Sequence, residues 1–232
     1  MKLIQFIVSQ TSINRRMAAQ MIKEGAVKVG SNIIEDMNYE FKPGNEKVVI
    51  DRKAIRYKKN FYYYKFNKPS NVICSFDDPR NRRTIKAFMA GVPEQIFAVG
   101  RLDRNTKGLL LFTNDGNFSN RVQHPSYSIS KEYRVTLDKP ITKRHFQRLT
   151  NGLILEDGPV SYSKAILMDD NMLEVTLSEG RNRIVRRTFE FFGYKVKGLK
   201  RLAIGPVKLG VLKEGCFKEL TKLEQKQLKV DA

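Results

Sequence analysis

Apolar positions recur at helical spacing near the start of the chain: Leu3, Ile4, Phe6 and Ile7, then Met17, Ala18, Met21 and Ile22. The polar break between them, Thr11-Ser12-Ile13-Asn14, supplies helix-capping residue types, so the spacing predicts two short helices, the second ended by Gly25. Alternation then takes over. Ala26-Val27-Lys28-Val29 turns through Gly30-Ser31-Asn32 into Ile33-Ile34, a hairpin, and Lys47-Val48-Val49-Ile50 adds a strand. The basic, glycine-free stretch from Asp51 to Asn60 reads as a linker, which puts a small domain at 1–58 and a larger one at 59–232.

The larger part opens on the aromatic-rich strand Phe61 to Phe66, ended by Lys68-Pro69. In a strand half of those rings face inward, so core packing is favoured over stacking on bases. Residues 74–95, with Asp77, Asp78, Arg80, Arg82 and Arg83, read as an exposed loop. An apolar strand at Leu109–Thr113 is followed by a helix at Asn117–Gln123, which His124-Pro125 stops. A strand at Lys131–Leu137, a helix at Thr142–Leu149 and strands at about 160–168 and 172–178 complete an α+β pattern without internal repeat. Ile184, Val185, Thr188, Phe189 and Phe192 then share one helical face before Gly193.

Charge changes the picture. Among 232 residues, 43 Lys and Arg face 24 Asp and Glu, a formal charge of +19 and a pI near 10.0. Such a field attracts polyanions, and nucleic acid is the leading partner because phosphate neutralisation releases counterions. No apolar run is long enough to span a bilayer and no signal-peptide pattern is present, which predicts a soluble, cytoplasmic protein. Cys74 and Cys216 are far apart and in apolar settings, as reduced thiols are, and His124 and His145 lack metal-ligand spacing.

One segment stands out chemically. Asp103 lies between Arg101 and Arg104, immediately before the apolar strand, and flanking cations keep a carboxylate ionised and fit to act as a nucleophile. The alternative is a loop aspartate that caps a turn or pairs with either arginine. On the helix after Gly180, Arg186 and Arg187 border the buried face on opposite flanks, so one can reach inward to a carboxylate while the other meets solvent; helical geometry leaves both choices open. From 181 to 208 there are nine basic residues and one acidic.

Gly100-Arg101-Leu102-Asp103 followed by Thr106-Lys107-Gly108-Leu109-Leu110-Leu111-Phe112-Thr113-Asn114-Asp115-Gly116 resembles the signature of the RsuA/RluB/RluE/RluF family of ribosomal RNA pseudouridine synthases. Lys68-Pro69, Lys131-Glu132-Tyr133, Glu179-Gly180-Arg181-Asn182-Arg183-Ile184-Val185-Arg186-Arg187 and Leu199-Lys200-Arg201 follow the family order, with Ile184 where members carry Gln or Glu. Residues 1–58 resemble an S4 RNA-binding domain, with Asn14 in place of Ser and Gly30 in place of Asn.

The resemblance implies a mixed, largely antiparallel sheet in the catalytic domain and conversion of uridine to pseudouridine without a cofactor. It makes Asp103 the catalytic residue, Arg186 its ion-pair partner, Tyr133 the ring against the target uracil and Leu199 a lining residue. Arg101, Arg104, Arg183 and Arg187 become further substrate contacts, and Arg15, Arg16, Lys23, Lys28, Lys68 and Arg82 candidate RNA contacts. A solvated helix face is the competing reading for the four in the first domain. The Asn105 to Thr113 run and Leu155-Glu156-Asp157-Gly158-Pro159 point to the large-subunit RluB/RluF type, hence to 23S rather than 16S ribosomal RNA, free or in an assembly intermediate, and to a monomer. A 16S enzyme of the RsuA type, or a non-catalytic S4-type assembly factor, is the alternative.

Overall fold

The computed structural model describes residues 1–11, 13–57, 60–93 and 96–228. Ser12 of the capping segment, the expected 58/59 domain boundary and the end of the 74–95 loop fall outside them. The chain forms two compact units: Met1–Tyr62 with Gly91–Phe97 and Thr113–Asn117, and Tyr63–Ala90 with Ala98–Phe112 and Phe118–Ala232.

In the first unit, α1 (Leu3–Gln10) and α2 (Arg15–Lys23) pack beside a four-stranded sheet of β1 (Val27–Val29), β2 (Asn32–Ile33), β3 (Val48–Ile50) and β4 (Lys53–Ile55), in the order β2-β1-β3-β4. Asn14 starts α2: its side-chain oxygen accepts from the Met17 amide at 2.9 Å, satisfying a donor that the helix cannot. Leu3, Phe6, Ile7, Ile22, Val27 and Val48 close the core.

The stretch read as a linker is partly sheet. Asp51 and Arg52 both adopt left-handed backbone, φ 46° and 66°, and this two-residue turn pairs Ile50 with Lys53 and carries β4 back along β3. The charge of Lys53-Ala54-Ile55 concealed a short edge strand, where lysines are well tolerated because they deter further pairing.

The second unit is built on a nine-stranded sheet. Its strands are β5 (Tyr63–Lys68), β6 (Phe97–Val99), β7 (Lys107–Thr113), β8 (Lys131–Leu137), β11 (Lys164–Asp169), β12 (Met172–Leu177), β13 (Val196–Ile204), β14 (Val207–Lys208) and β15 (Phe217–Glu219). The main path runs β11-β12-β8-β13-β7-β5-β15, and β9 (Leu153–Leu155) with β10 (Gly158–Val160) forms a separate hairpin. The β11–β12, β12–β8, β8–β13 and β5–β15 pairs are antiparallel and β13–β7 is parallel. The helices are α3 (Gly116–Gln123), α4 (Lys143–Asn151), α5 (Ile184–Phe191) and α6 (Lys222–Gln227).

Alternate residues of β8, β12 and β13 (Val135, Leu173, Val175, Leu199) meet Ile184, Val185 and Phe189 of α5 in one core. Leu109, Leu111, Phe118 and Val207 belong to a second. The aromatic strand packs into the core on both faces, not one: Tyr63 and Phe66, of opposite phase, are both buried, and Phe66 stacks on Phe217 at 4.4 Å between centroids.

Candidate active site

Asp103 projects from the turn before β7, and its backbone is clamped on every side. The Leu102 amide donates to Cys74 Sγ at 3.3 Å, and the Asp103 carbonyl accepts from Thr106 N at 3.0 Å. The Arg104 carbonyl accepts from Val72 N at 3.3 Å and from the Lys68 ammonium at 3.2 Å, while the Asn105 carbonyl accepts from Arg186 Nη2 at 3.2 Å. A reacting group on a loop keeps its geometry only when neighbours over-determine it in this way.

Arg186 resolves the question left open by helical geometry. It turns inward from α5, donates through Nη1 to the Val196 carbonyl at 3.1 Å, and brings Nε to 3.9 Å from Asp103 Oδ2. At that distance the contact is coulombic rather than a hydrogen bond. The Arg186 side chain is 10% exposed and that of Asp103 33%, so the carboxylate faces an opening from a rigid, cationic wall. Burial, then the neighbouring Arg183, lowers the Arg186 pKa from its ordinary value, and Asp103 opposes that shift.

The opening is a pocket of about 160 Å³ lined by Asp103, Thr106, Tyr133, Ile184, Arg186 and Leu199, with Lys131 and Arg201 among the other walls. Tyr133 stands opposite Arg201 in the β8–β13 register, which sets its ring on the pocket face of the sheet, half-buried. The volume lies below the roughly 300–1,000 Å³ of sites for drug-sized ligands and suits a single planar base. Gly108 makes this arrangement possible: at φ +101° its α-carbon lies so close to β13 that a Cβ would stand 2.2 Å from the Arg201 carbonyl oxygen.

Residues 62–191 match the family described as RNA pseudouridylate synthase. Over 236 residues the chain is 33% identical to ribosomal large subunit pseudouridine synthase B of Bacillus subtilis, covering 99% of this chain and 96% of that one. It is 32% identical to ribosomal small subunit pseudouridine synthase A of Haemophilus influenzae, covering 98% and 99%. A crystal structure of a pseudouridylate synthase superposes with a TM-score of 0.71 at 32% identity, covering 98% of this chain and 99% of that one. The chain belongs to the RNA pseudouridylate synthase family.

Several residues expected at the site of this synthase are there. Asp103, Tyr133, Arg186, Leu199, Arg101 and Arg183 line one pocket, and Arg104 lines the adjoining cleft with Asp103 and Arg183. Arg187 is not among them: its Nη2 lies 2.6 Å from Asp157 Oδ2, on the opposite flank of α5. The β9–β10 turn that carries Asp157 captures it, and also binds Arg181 at 2.8 Å.

Lys68 is a correction of another kind. Expected among the RNA contacts, it is fully buried, and its ammonium donates to the carbonyls of Pro69, Val72 and Arg104. Burial lowers its pKa from 10.5 to about 8. Through these carbonyls it props the Asp103 loop, with its side chain away from solvent. Arg82 is exposed but engaged, chelating Asp78 within the loop through Nε and Nη2, which holds that carboxyl well below the usual range. Arg15, Arg16, Lys23 and Lys28 are exposed on α2 and β1.

Thr106, Lys131 and Arg201 also line the pocket; they stand in the motifs quoted for the resemblance, but no site role had been given to them. Arg201 did carry a signal. It occupies the inward phase of β13, between Leu199 and Ala203, where an apolar residue is the expectation.

Proposed function

We propose that this synthase isomerises a uridine of ribosomal RNA, in the 23S molecule ahead of the 16S, with Asp103 as its reacting carboxylate. The observation that carries the reading is the 3.9 Å approach of Arg186 to an Asp103 otherwise open to a base-sized pocket with Tyr133 and Leu199 in its wall. The reaction breaks the bond from ribose C1′ to uracil N1 and rejoins C1′ to C5, so it needs a fixed anion at the sugar and walls that hold the detached base. Arg186 orients Asp103 across the 3.9 Å contact, and Tyr133 packs on the ring or passes a proton. The target nucleotide must leave its stack to reach this depth, and Arg101, Arg104 and Arg183 take its phosphates on this reading.

Residues 1–58 act, on this reading, as an S4-like RNA-binding domain through Arg15, Arg16, Lys23 and Lys28, in a cytoplasmic monomer that meets ribosomal RNA free or during subunit assembly. The large-subunit preference rests on the Asn105–Thr113 and Leu155–Pro159 segments. A small-subunit substrate is the second reading, favoured by the near-equal identity to the Haemophilus influenzae relative. Treatment of unmodified 23S and 16S RNA with the purified protein, followed by pseudouridine mapping at nucleotide resolution, decides between them. A new site in 23S alone supports the proposal, one in 16S alone supports the second reading, and none in either overturns both.

A further inference from the structure

Lys131 and Arg201 are two cations in the wall of the Asp103 pocket that the reaction as described leaves unused. They share the face of the sheet that carries Tyr133: Lys131 is two residues from it on β8, and Arg201 is its cross-strand partner on β13. Arg201 is 5% exposed, donates from Nε to the Leu109 carbonyl at 2.7 Å, and brings Nη1 to 3.5 Å from the Tyr133 hydroxyl. Its Nη2 is buried without a partner. Lys131 donates to the carbonyls of Ile129 at 2.9 Å and Ser178 at 3.5 Å. Among the described residues neither forms an ion pair with a carboxylate.

A guanidinium buried without a counter-ion, beside a second cation, is costly to the folded protein, and an unmet N–H adds to that cost. Burial, and then Arg201 itself, lower the Lys131 pKa, as expected for two cations close together. The arrangement is stabilised when something anionic enters the pocket. Uridine is neutral, but its base does not stay so. When the C1′–N1 bond breaks, the electron pair leaves with the uracil, and one negative charge spreads over N1, O2 and O4. Asp103 meanwhile either bonds to C1′, to be displaced when C5 attacks, or takes the proton from C2′ and returns it when C5 bonds to C1′. Bond formation from C5 to C1′ returns the pair and leaves a neutral adduct; the C5 proton is then lost and one proton is taken up at N1, which gives the neutral product.

We infer that Lys131 and Arg201 are catalytic residues that hold the departing uracil as an anion by donating to its carbonyl oxygens, so that the pocket binds the detached base more tightly than bound uridine. Charge stabilisation that develops only on the way to the transition state raises the rate of the chemical step without tightening ground-state binding. The inference rests on the placement of the reaction at Asp103.

The test is single-turnover tritium release from [5-³H]uridine-labelled ribosomal RNA, with RNA affinity measured in parallel. Arg201→Gln and Lys131→Gln should each slow release by about a hundredfold at saturating RNA, with the RNA Kd changed less than about threefold. Arg201→Lys should recover at least about a tenth of the loss, since it restores the charge but not the fork. If Arg201→Gln fails to fold, Lys131→Gln and Arg201→Lys decide. Wild-type rates in both glutamine variants, or a loss confined to Kd, overturn the inference while Asp103→Ala stays inactive. An active Asp103→Ala instead removes the site assignment beneath it.

Discussion

At the scale of single residues, the site is organised by where cations are allowed to go. Arg186 and Arg187 are adjacent in sequence, yet one faces Asp103 and the other Asp157, because α5 turns their side chains to opposite flanks of its buried stripe. Lys68 shows that a lysine in a basic protein can be wholly internal when three carbonyls meet its ammonium. Its folded-state pKa of about 8, against 10.5 when exposed, means that the unfolded chain holds this proton to higher pH. Between those values the unfolded state binds more protons, so the contribution of Lys68 to stability rises as pH rises from about 8 to 10.5. The melting temperature of wild type relative to Lys68→Met should therefore increase over that interval. A constant difference would show that the group titrates normally. At Asp103, Arg186 and Tyr133 the roles were suggested only by the family resemblance, since helical geometry left Arg186 and Arg187 equivalent; the structure turns Arg186 to Asp103. The burial of Lys68 was not legible, because sequence shows that a side chain is charged and not whether carbonyls converge on it.

Elements decide how firmly that chemistry is held. The Asp103 turn leads into β7, whose parallel contact with β13 brings Gly108 opposite Arg201 with no room for a methyl group. Gly108→Ala combines a left-handed backbone with a clash against main chain, and each of these costs about 1–3 kcal/mol. A drop of roughly 5–15 °C in melting temperature follows, with lost activity because β13 carries Leu199 and Arg201; unchanged melting and activity would refute the strand contact. Helices α2 and α5 and strands β1, β3 and β8 could be read from period and capping residues, and β5 from its aromatic richness although it is buried on both faces. The β3–β4 hairpin could not, because its turn depends on two left-handed residues, Asp51 and Arg52, neither of them glycine. Strand β13 was missed for a related reason: its inward row is interrupted by Arg201, whose burial makes sense only once Leu109 and Tyr133 are placed beside it.

For the whole molecule, the net charge of +19 is spent mostly outside the pocket. If the first unit holds RNA through α2 and β1, then Arg15→Glu with Arg16→Glu should weaken RNA binding by about tenfold or more and steepen salt sensitivity less than wild type. The single-turnover rate at saturating RNA should be unchanged; an equal loss in that rate would mean that the basic face acts in the chemistry. Raising salt from about 0.1 to 0.3 M should act in the same way, on affinity and not on the chemical step. On the proposed reading, a carboxylate fixed before β7 performs the isomerisation. That assignment is tested most directly by comparing tritium release from labelled ribosomal RNA by wild type and Asp103→Ala at equal RNA occupancy. Wild type should release tritium and the variant none, with binding retained; release at the wild-type rate by the variant would rule out Asp103 as the reacting group.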